Sequence, residues 1–365
     1  MTAFCPTDRD ARHIRLWLLI CAGMVFFMVV LGGATRLTES GLSMVEWKPL
    51  HILPPLNEQE WAEEFEAYMQ YPEYQKVNSW MTVDDFKEIF WLEYSHRLWG
   101  RLIGLVFALP FFWFVYKKKA RGHLTLKLTG LLVLGGAQGV LGWFMVASGL
   151  VDRPDVSQYR LAAHLGLAFV VYGLLIWVAL GIKSEDEAKK LTPQIVTDAA
   201  TARLSLGAAL AVLLVVMSGA FVAGLNAGLI YNTFPLMDGQ LVPDGLYEMT
   251  PWYANWFENI MTVQFNHRVL AIALVILIAF TWWRLIRDGA QGLQRKLANA
   301  FLGMAVLQAI LGIITLLLVV PLWLALLHQT GALILFTLGV TIARLTHPST
   351  VTSGTVTSSP SLDAA

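Results

Sequence analysis

Apolar runs long enough to cross a bilayer recur eight times along the chain, near residues 16–35, 95–116, 128–147, 161–182, 204–225, 265–283, 298–320 and 323–343. A hydrocarbon core about 30 Å thick takes about twenty helical residues, so the pattern predicts an all-α integral membrane protein with eight transmembrane helices. The second and sixth runs open on ionisable clusters, Glu93 to Arg101 and His267-Arg268. Their purely apolar parts are short, and their outer turns are expected to face protein or a bound group rather than lipid. Pro321 leaves only a tight turn between the last two runs. The first run is longer than the apolar core of a secretion signal and lacks a small-residue cleavage site, which marks it as a retained span.

The pattern repeats within the chain. His96 is followed by Gln138-Gly-Val-Leu-Gly142 and then His164; His267 is followed by Gln308-Ala-Ile-Leu-Gly312 and then His328. In the spans before them, Gly33 and Gly219 each precede a Pro-Leu pair, Pro49-Leu50 and Pro235-Leu236. Each half holds four spans, an even number, so both enter the membrane from the same side and form two parallel-repeat four-helix bundles. The expected organisation is an N-terminal segment 1–15, a first bundle 16–182 with its outer loop 36–92, a linker 183–203, a second bundle 204–345, and a Ser/Thr/Pro-rich disordered tail 346–365.

Charge then orients the bundle. Basic residues gather in the N-terminus, the Lys117 to Lys127 loop, the linker, and the loop holding Arg284, Arg287, Arg295 and Lys296, which places these segments and both termini in the cytoplasm. The opposite side is acidic: residues 36–92 hold eleven acidic and four basic residues, and 226–264 hold four acidic residues and no Lys or Arg. In the long outer loop, Asn57 with Glu60 forms a capping box for a short helix carrying Trp61, Phe65 and Tyr68 on one face. Thr82 ahead of Asp84 and Asp85 starts a second segment that runs towards Trp91. A lid on the outer surface and a merely solvated acidic loop are both compatible with this. Composition adds the class: 56% hydrophobic, 14% charged, a mean hydropathy of +0.57, and zero net charge that gives nucleic acid no purchase. Cys5 and Cys21 lie before and inside the first span, so no exported disulfide framework is available.

The candidate chemistry sits at the outer ends of the even-numbered spans. On a helix, His96, Arg97, Gly100 and Gly104 fall within about 60° of Glu93, on one face. His96 with His164, and His267 with His328, give each half two imidazoles at one depth. Zinc would want further Cys, His or carboxylate ligands, which the second half lacks nearby. A haem brings four nitrogens and needs two axial ligands, and Gly135, Gly139 and Gly142 leave room for a porphyrin, although close helix packing explains small residues equally well. Hydrogen-bonded bundle histidines are the alternative for each His taken singly. Arg97 and Arg268 suit propionates or simple interfacial anchoring. The halves differ at one point: Gln264 stands where the first has Glu93. Only the first half has a carboxylate at this point, able to act as a base or to stabilise positive charge.

Gly32-Gly-Ala-Thr-Arg-Leu-Thr38, Glu93-Tyr-Ser-His-Arg97, Gln138-Gly-Val-Leu-Gly142, Ala163-His164, Asn266-His-Arg268 and His328-Gln-Thr-Gly331, over residues 16 to 345, resemble the haem A synthase family. The resemblance implies oxidation of the C8 methyl of haem O, by two successive hydroxylations, to the formyl group of haem A for cytochrome oxidase. It implies that His267 and His328 are axial ligands of a retained haem B, that His96 and His164 hold the substrate haem, and that Glu93 is the essential acid. The outer-loop Cys pairs of some bacterial members are missing, as in the proteobacterial and mitochondrial type. Haem O synthase is the implied supplier of substrate, with an electron-transfer partner that the sequence does not identify; the lipid bilayer surrounds the protein, and a homo-oligomer is compatible with it. Two rivals stay open. A two-haem b-type cytochrome exchanging electrons with quinone would use the same histidines but gives Glu93 no task, and a transporter would want polar or broken helices at mid-membrane.

Overall fold

Several helices in this chain begin at side chains that satisfy the first free N–H groups. In the computed structural model, which describes residues 6–45, 53–149, 156–184 and 198–347, the Thr7 side chain accepts from the Asp10 N–H to start α1, Asp8–Leu37. Asn57 accepts from the Glu60 N–H at 2.9 Å while the Glu60 carboxylate takes the Leu56 N–H, which starts α2, Glu58–Met69. Thr82 and Asp85 form a full capping box at the head of α3, Val83–Tyr116. The spans continue with α4, His123–Gly149, α5, Gln158–Gly181, α6, Ala199–Gly224, α7, Ile260–Arg287, α8, Gly292–Leu317, and α9, Leu322–Thr346. Eight of the nine, all but α2, are long and apolar enough to cross a membrane.

The eight expected spans are present, with one change of boundary that matters. The segment begun by Thr82 is not a separate piece but the first part of α3, so the Glu93-to-Arg101 motif lies inside one 34-residue helix. At 1.5 Å per residue such a helix is about 51 Å long, well beyond the apolar layer. Its leading turns therefore carry an aromatic cluster: Trp61, Phe65 and Tyr68 from α2 pack with Phe86 and Phe90 of α3 and with Val45. Tyr68 is fully buried, its oxygen takes a 2.8 Å bond from the Asn78 side-chain amide, and burial pushes its phenol well above the ordinary range. Residues 348–365 of the expected tail, 185–197 of the linker, Cys5, His51 and Pro49-Leu50 lie outside the described residues.

Helix packing gives the two halves the same neighbour order. Helices α1, α3, α4 and α5 form a ring in which each touches the next and α5 closes on α1; α6, α7, α8 and α9 do likewise, with α9 closing on α6. The rings join through α5 with α6 and α9, and through α1 with α9. Phe169 packs on Phe336 with ring centres 5.4 Å apart, Tyr172 shares a 2.7 Å bond with Thr337, and the Gln329 amide donates to the Val29 carbonyl at 2.5 Å. The loosest span is α4, with only 6% of its apolar window buried, and it touches α3 sparingly.

Candidate functional site

Each half closes its turn after the first span with a buried side chain from the second. Following α1, Glu39 takes a left-handed conformation (φ 55°) into the one-turn helix Ser40–Leu42; following α6, Asn226 (φ 52°) leads into Ala227–Leu229. In the first half the groups offered to α3 are donors. Glu93, 2% exposed, accepts from the Ser43 hydroxyl and the Met44 N–H, each at 2.7 Å, on one oxygen. Its other oxygen is held by the Arg97 guanidinium, which also donates to the Met44 carbonyl at 2.7 Å. In the second half the groups offered to α7 are acceptors. Gln264, also 2% exposed, donates its amide to the Ala227 and Ile230 carbonyls at 2.8 and 2.6 Å, and its oxygen accepts from Arg268 at 3.0 Å. Arg268 then donates to the Tyr231 and Thr233 carbonyls at 2.6 and 2.7 Å. The Glu-to-Gln difference thus matches the polarity of the facing turn: an acceptor-only side chain meets donors, and an amide N–H₂ meets carbonyls.

One turn beyond Glu93 and Gln264 come the histidines, and each meets a glycine of the preceding helix. A Cβ built at Gly32 would lie 3.2 Å from the His96 ring, at Gly142 3.2 Å from His164, at Gly219 3.1 Å from His267 and at Gly312 2.8 Å from His328. All four contacts are at the end of the bundle where α1, α4, α6 and α8 finish. A methyl group there would displace the imidazole, so glycine is what lets each ring lie against its neighbouring helix. The equivalence corrects the register of the expected repeat: the partner of Gly219 is Gly32, because both back a histidine, whereas Gly33 packs against Gln329. The loop after α1 is one residue longer than that after α6 when counted to the Pro-Leu pairs, which is what shifted the spacing.

The repeated glutamines support the second histidine of each half. The Gln138 amide donates to the His164 carbonyl at 3.0 Å and lies 3.4 Å from its Nε2; Gln308 donates to the His328 carbonyl at 2.8 Å and lies 3.1 Å from its Nδ1. His267 has a different partner, the Ser218 hydroxyl, 2.7 Å from Nδ1. His96 lies within electrostatic range of His164, and His267 of His328. Arg97 and Arg268 are half-buried and committed to backbone carbonyls of the turns.

Among the described residues no three His, Cys, Asp or Glu side chains cluster as a metal cage. Two paired imidazoles per half, half-buried and each seated on a glycine, fit a planar group that brings its own equatorial nitrogens and asks for axial ligands alone. A Cβ at Gly135 or Gly139 would meet nothing within 4 Å, whereas one at Gly100 would come 3.3 Å from Met28. Sequence reasoning missed Ser43, Met44 and Ser218. The hydroxyls of Ser43 and Ser218 have no equivalent in the other half, where Ile230 and Leu31 stand, and Met44 matches Tyr231 only through its backbone, so the repeat that singled out the histidines passed over them.

Residues 15–340 match the model of a family described as cytochrome oxidase assembly protein, COX15-CtaA. The chain is 49% identical over 342 residues to the haem A synthase of Nitrosospira multiformis, covering 92% of this chain and 95% of that one. It is 50% identical over 341 residues to that of Parvibaculum lavamentivorans, covering 93% and 96%, and 46% identical over 356 residues to that of a Bradyrhizobium species, covering 95% of each. With the match running through all four glycine-backed histidines, the chain belongs to the COX15-CtaA cytochrome oxidase assembly family, the family of the haem A synthases.

Proposed function

We propose that this protein is a haem A synthase that oxidises the C8 methyl of haem O to a formyl group by two successive hydroxylations, the second giving a geminal diol that loses water to the aldehyde. The observation that carries the reading is the twice-repeated pair of glycine-backed histidines in a chain about half identical to haem A synthases. His96 and His164 hold the substrate haem, and His267 and His328 hold a resident haem B. When bound, haem B supplies one-electron iron redox chemistry to the second half. The carboxylate of Glu93, one helical turn before His96 and paired with Arg97, serves the oxidation as a base or by stabilising positive charge that develops at the methyl carbon. Gln264 has no charge to offer, which suits a half that only transfers electrons. Arg97 and Arg268 orient propionates with whatever donor capacity the turns leave them.

The protein is multi-pass, with eight apolar helices among the described residues; the basic inner loops support cytoplasmic termini, and the likeness to haem A synthases supports residence in the cell inner membrane. Haem O synthase supplies the substrate and a separate redox partner exchanges electrons. The b-type cytochrome reading is the competitor, since it needs the same four histidines. An absorption spectrum of the purified protein with analysis of solvent-extracted haem separates the two. Haem B accompanied by haem O, its hydroxylated form and haem A is the expected content; two equivalents of haem B and no trace of the others would overturn the synthase assignment.

A further inference from the structure

Ser218 sits immediately before Gly219, and its hydroxyl oxygen lies 2.7 Å from Nδ1 of His267 and 3.0 Å from the Val215 carbonyl. A serine has one proton to give. Donated to Val215, it leaves only lone pairs for the imidazole, so Nδ1 carries the ring hydrogen and Nε2 keeps its lone pair. That is the tautomer an iron-binding imidazole needs, and a hydrogen bond from the far nitrogen fixes the ring and raises its basicity as a ligand. The equivalent position in the first half, immediately before Gly32, is Leu31, which has no polar side-chain atom. Among the described residues the His96 ring makes no hydrogen bond, and it meets Gly32 through Nε2, where His267 meets Gly219 through Cε1. The two halves thus differ in how firmly their first histidine is held.

Resting on the two-haem reading above, we propose that Ser218 is a positioning residue that makes the second site the retaining one, by locking the tautomer and orientation of His267. A synthase must keep one haem and let the other leave after each reaction. Two sites with the same ligands and the same glycine backing need some difference to sort these behaviours, and the Ser218 bond is a difference made directly to a ligand ring. It touches neither substrate nor reacting atoms.

The test uses the purified holoenzyme and follows transfer of its haem B to an excess of a haem-scavenging apoglobin. Ser218→Ala is expected to release haem B about tenfold faster or more, the usual consequence of removing such a partner, and to change the low-spin electron paramagnetic resonance signal. Ser218→Thr keeps a hydroxyl able to bond the same carbonyl and is expected to restore both. Wild-type release and an unchanged signal in Ser218→Ala would overturn the proposal, as would a Thr variant no better than Ala, which would make the effect one of packing. His267→Ala is the control for the underlying reading: if that variant keeps its full haem B, the second site is not where haem B sits, and the Ser218 proposal falls with it.

Discussion

Replacing Glu93 by Gln changes one oxygen for an N–H₂ in a place where four donors converge. The Ser43 hydroxyl, the Met44 N–H and two N–H groups of Arg97 all point at this carboxylate, and only 2% of the residue and 10% of the Arg97 side chain are exposed. Whichever oxygen is replaced, a donor then faces donors. Breaking one partner of a buried ion pair costs about 3–5 kcal/mol, a large share of the roughly 5–15 kcal/mol that holds a domain. Loss of haem A in Glu93→Gln would therefore follow either from a missing charge at the reaction or from a loosened turn. Ser43→Ala separates the two: it removes one bond to the carboxylate, worth about 1.5–3 kcal/mol, and leaves the charge in place. The assay is haem A formed per folded, haem-loaded enzyme, alongside hydrogen exchange of residues 38–45. Ser43→Ala should exchange faster yet keep most of its turnover, while Glu93→Gln should lose nearly all of it. Equal loss in both variants, or normal turnover per folded molecule in Glu93→Gln, refutes the catalytic assignment and leaves Glu93 as a latch.

The remaining expectations follow from the same geometry. Gln264→Glu aims a carboxylate at the Ala227 and Ile230 carbonyls and should destabilise the second half by about 1–3 kcal/mol without creating a second oxidising site; unchanged thermal stability would contradict it. Gly312→Ala should displace the His328 ring and lower low-spin haem content, whereas Gly207→Ala, with nothing within 4 Å, should leave the spectrum untouched. Tyr68→Phe strips the Asn78 amide of its partner in the aromatic cluster and should raise the rate of proteolytic nicking in residues 70–80 while haem content stays constant. Reporter fusions after Lys119 and after Asp238 should report opposite sides of the membrane.

Much of this was legible because membrane helices are written in a coarse alphabet. Twenty apolar residues in a row admit few other structures, and the capping boxes at Asn57 and Thr82 are local chemistry that the sequence displays directly. The four histidines stood out because they recur with their Gln-x-x-x-Gly partners. What was not legible depended on facing groups brought together by folding. Nothing in the string shows that Ser43 and Met44 turn back onto Glu93, so the match of Glu and Gln to the donors opposite one and the carbonyls opposite the other was not legible. That the segment begun at Thr82 runs unbroken into the second span was not legible for a related reason: its first turns are polar on the outside and buried under α2 on the inside, and hydropathy reports only the first of these.

The glycine–histidine contacts recur once per helical hairpin, four times in all, and the chain between the two residues differs greatly: it runs from Gly312 to His328 in the shortest hairpin and from Gly32 to His96 in the longest. That fourfold range of length is two doublings, which loop-closure entropy values at only about 1.2 kcal/mol. Ligand placement is therefore decoupled from what connects the helices, since a contact between two helix faces, not the connection, sets where the imidazole sits. The outer connections are free to lengthen, shorten or take on a new domain during evolution or engineering, and the aromatic cluster built on α2 is one accessory that such freedom has already admitted.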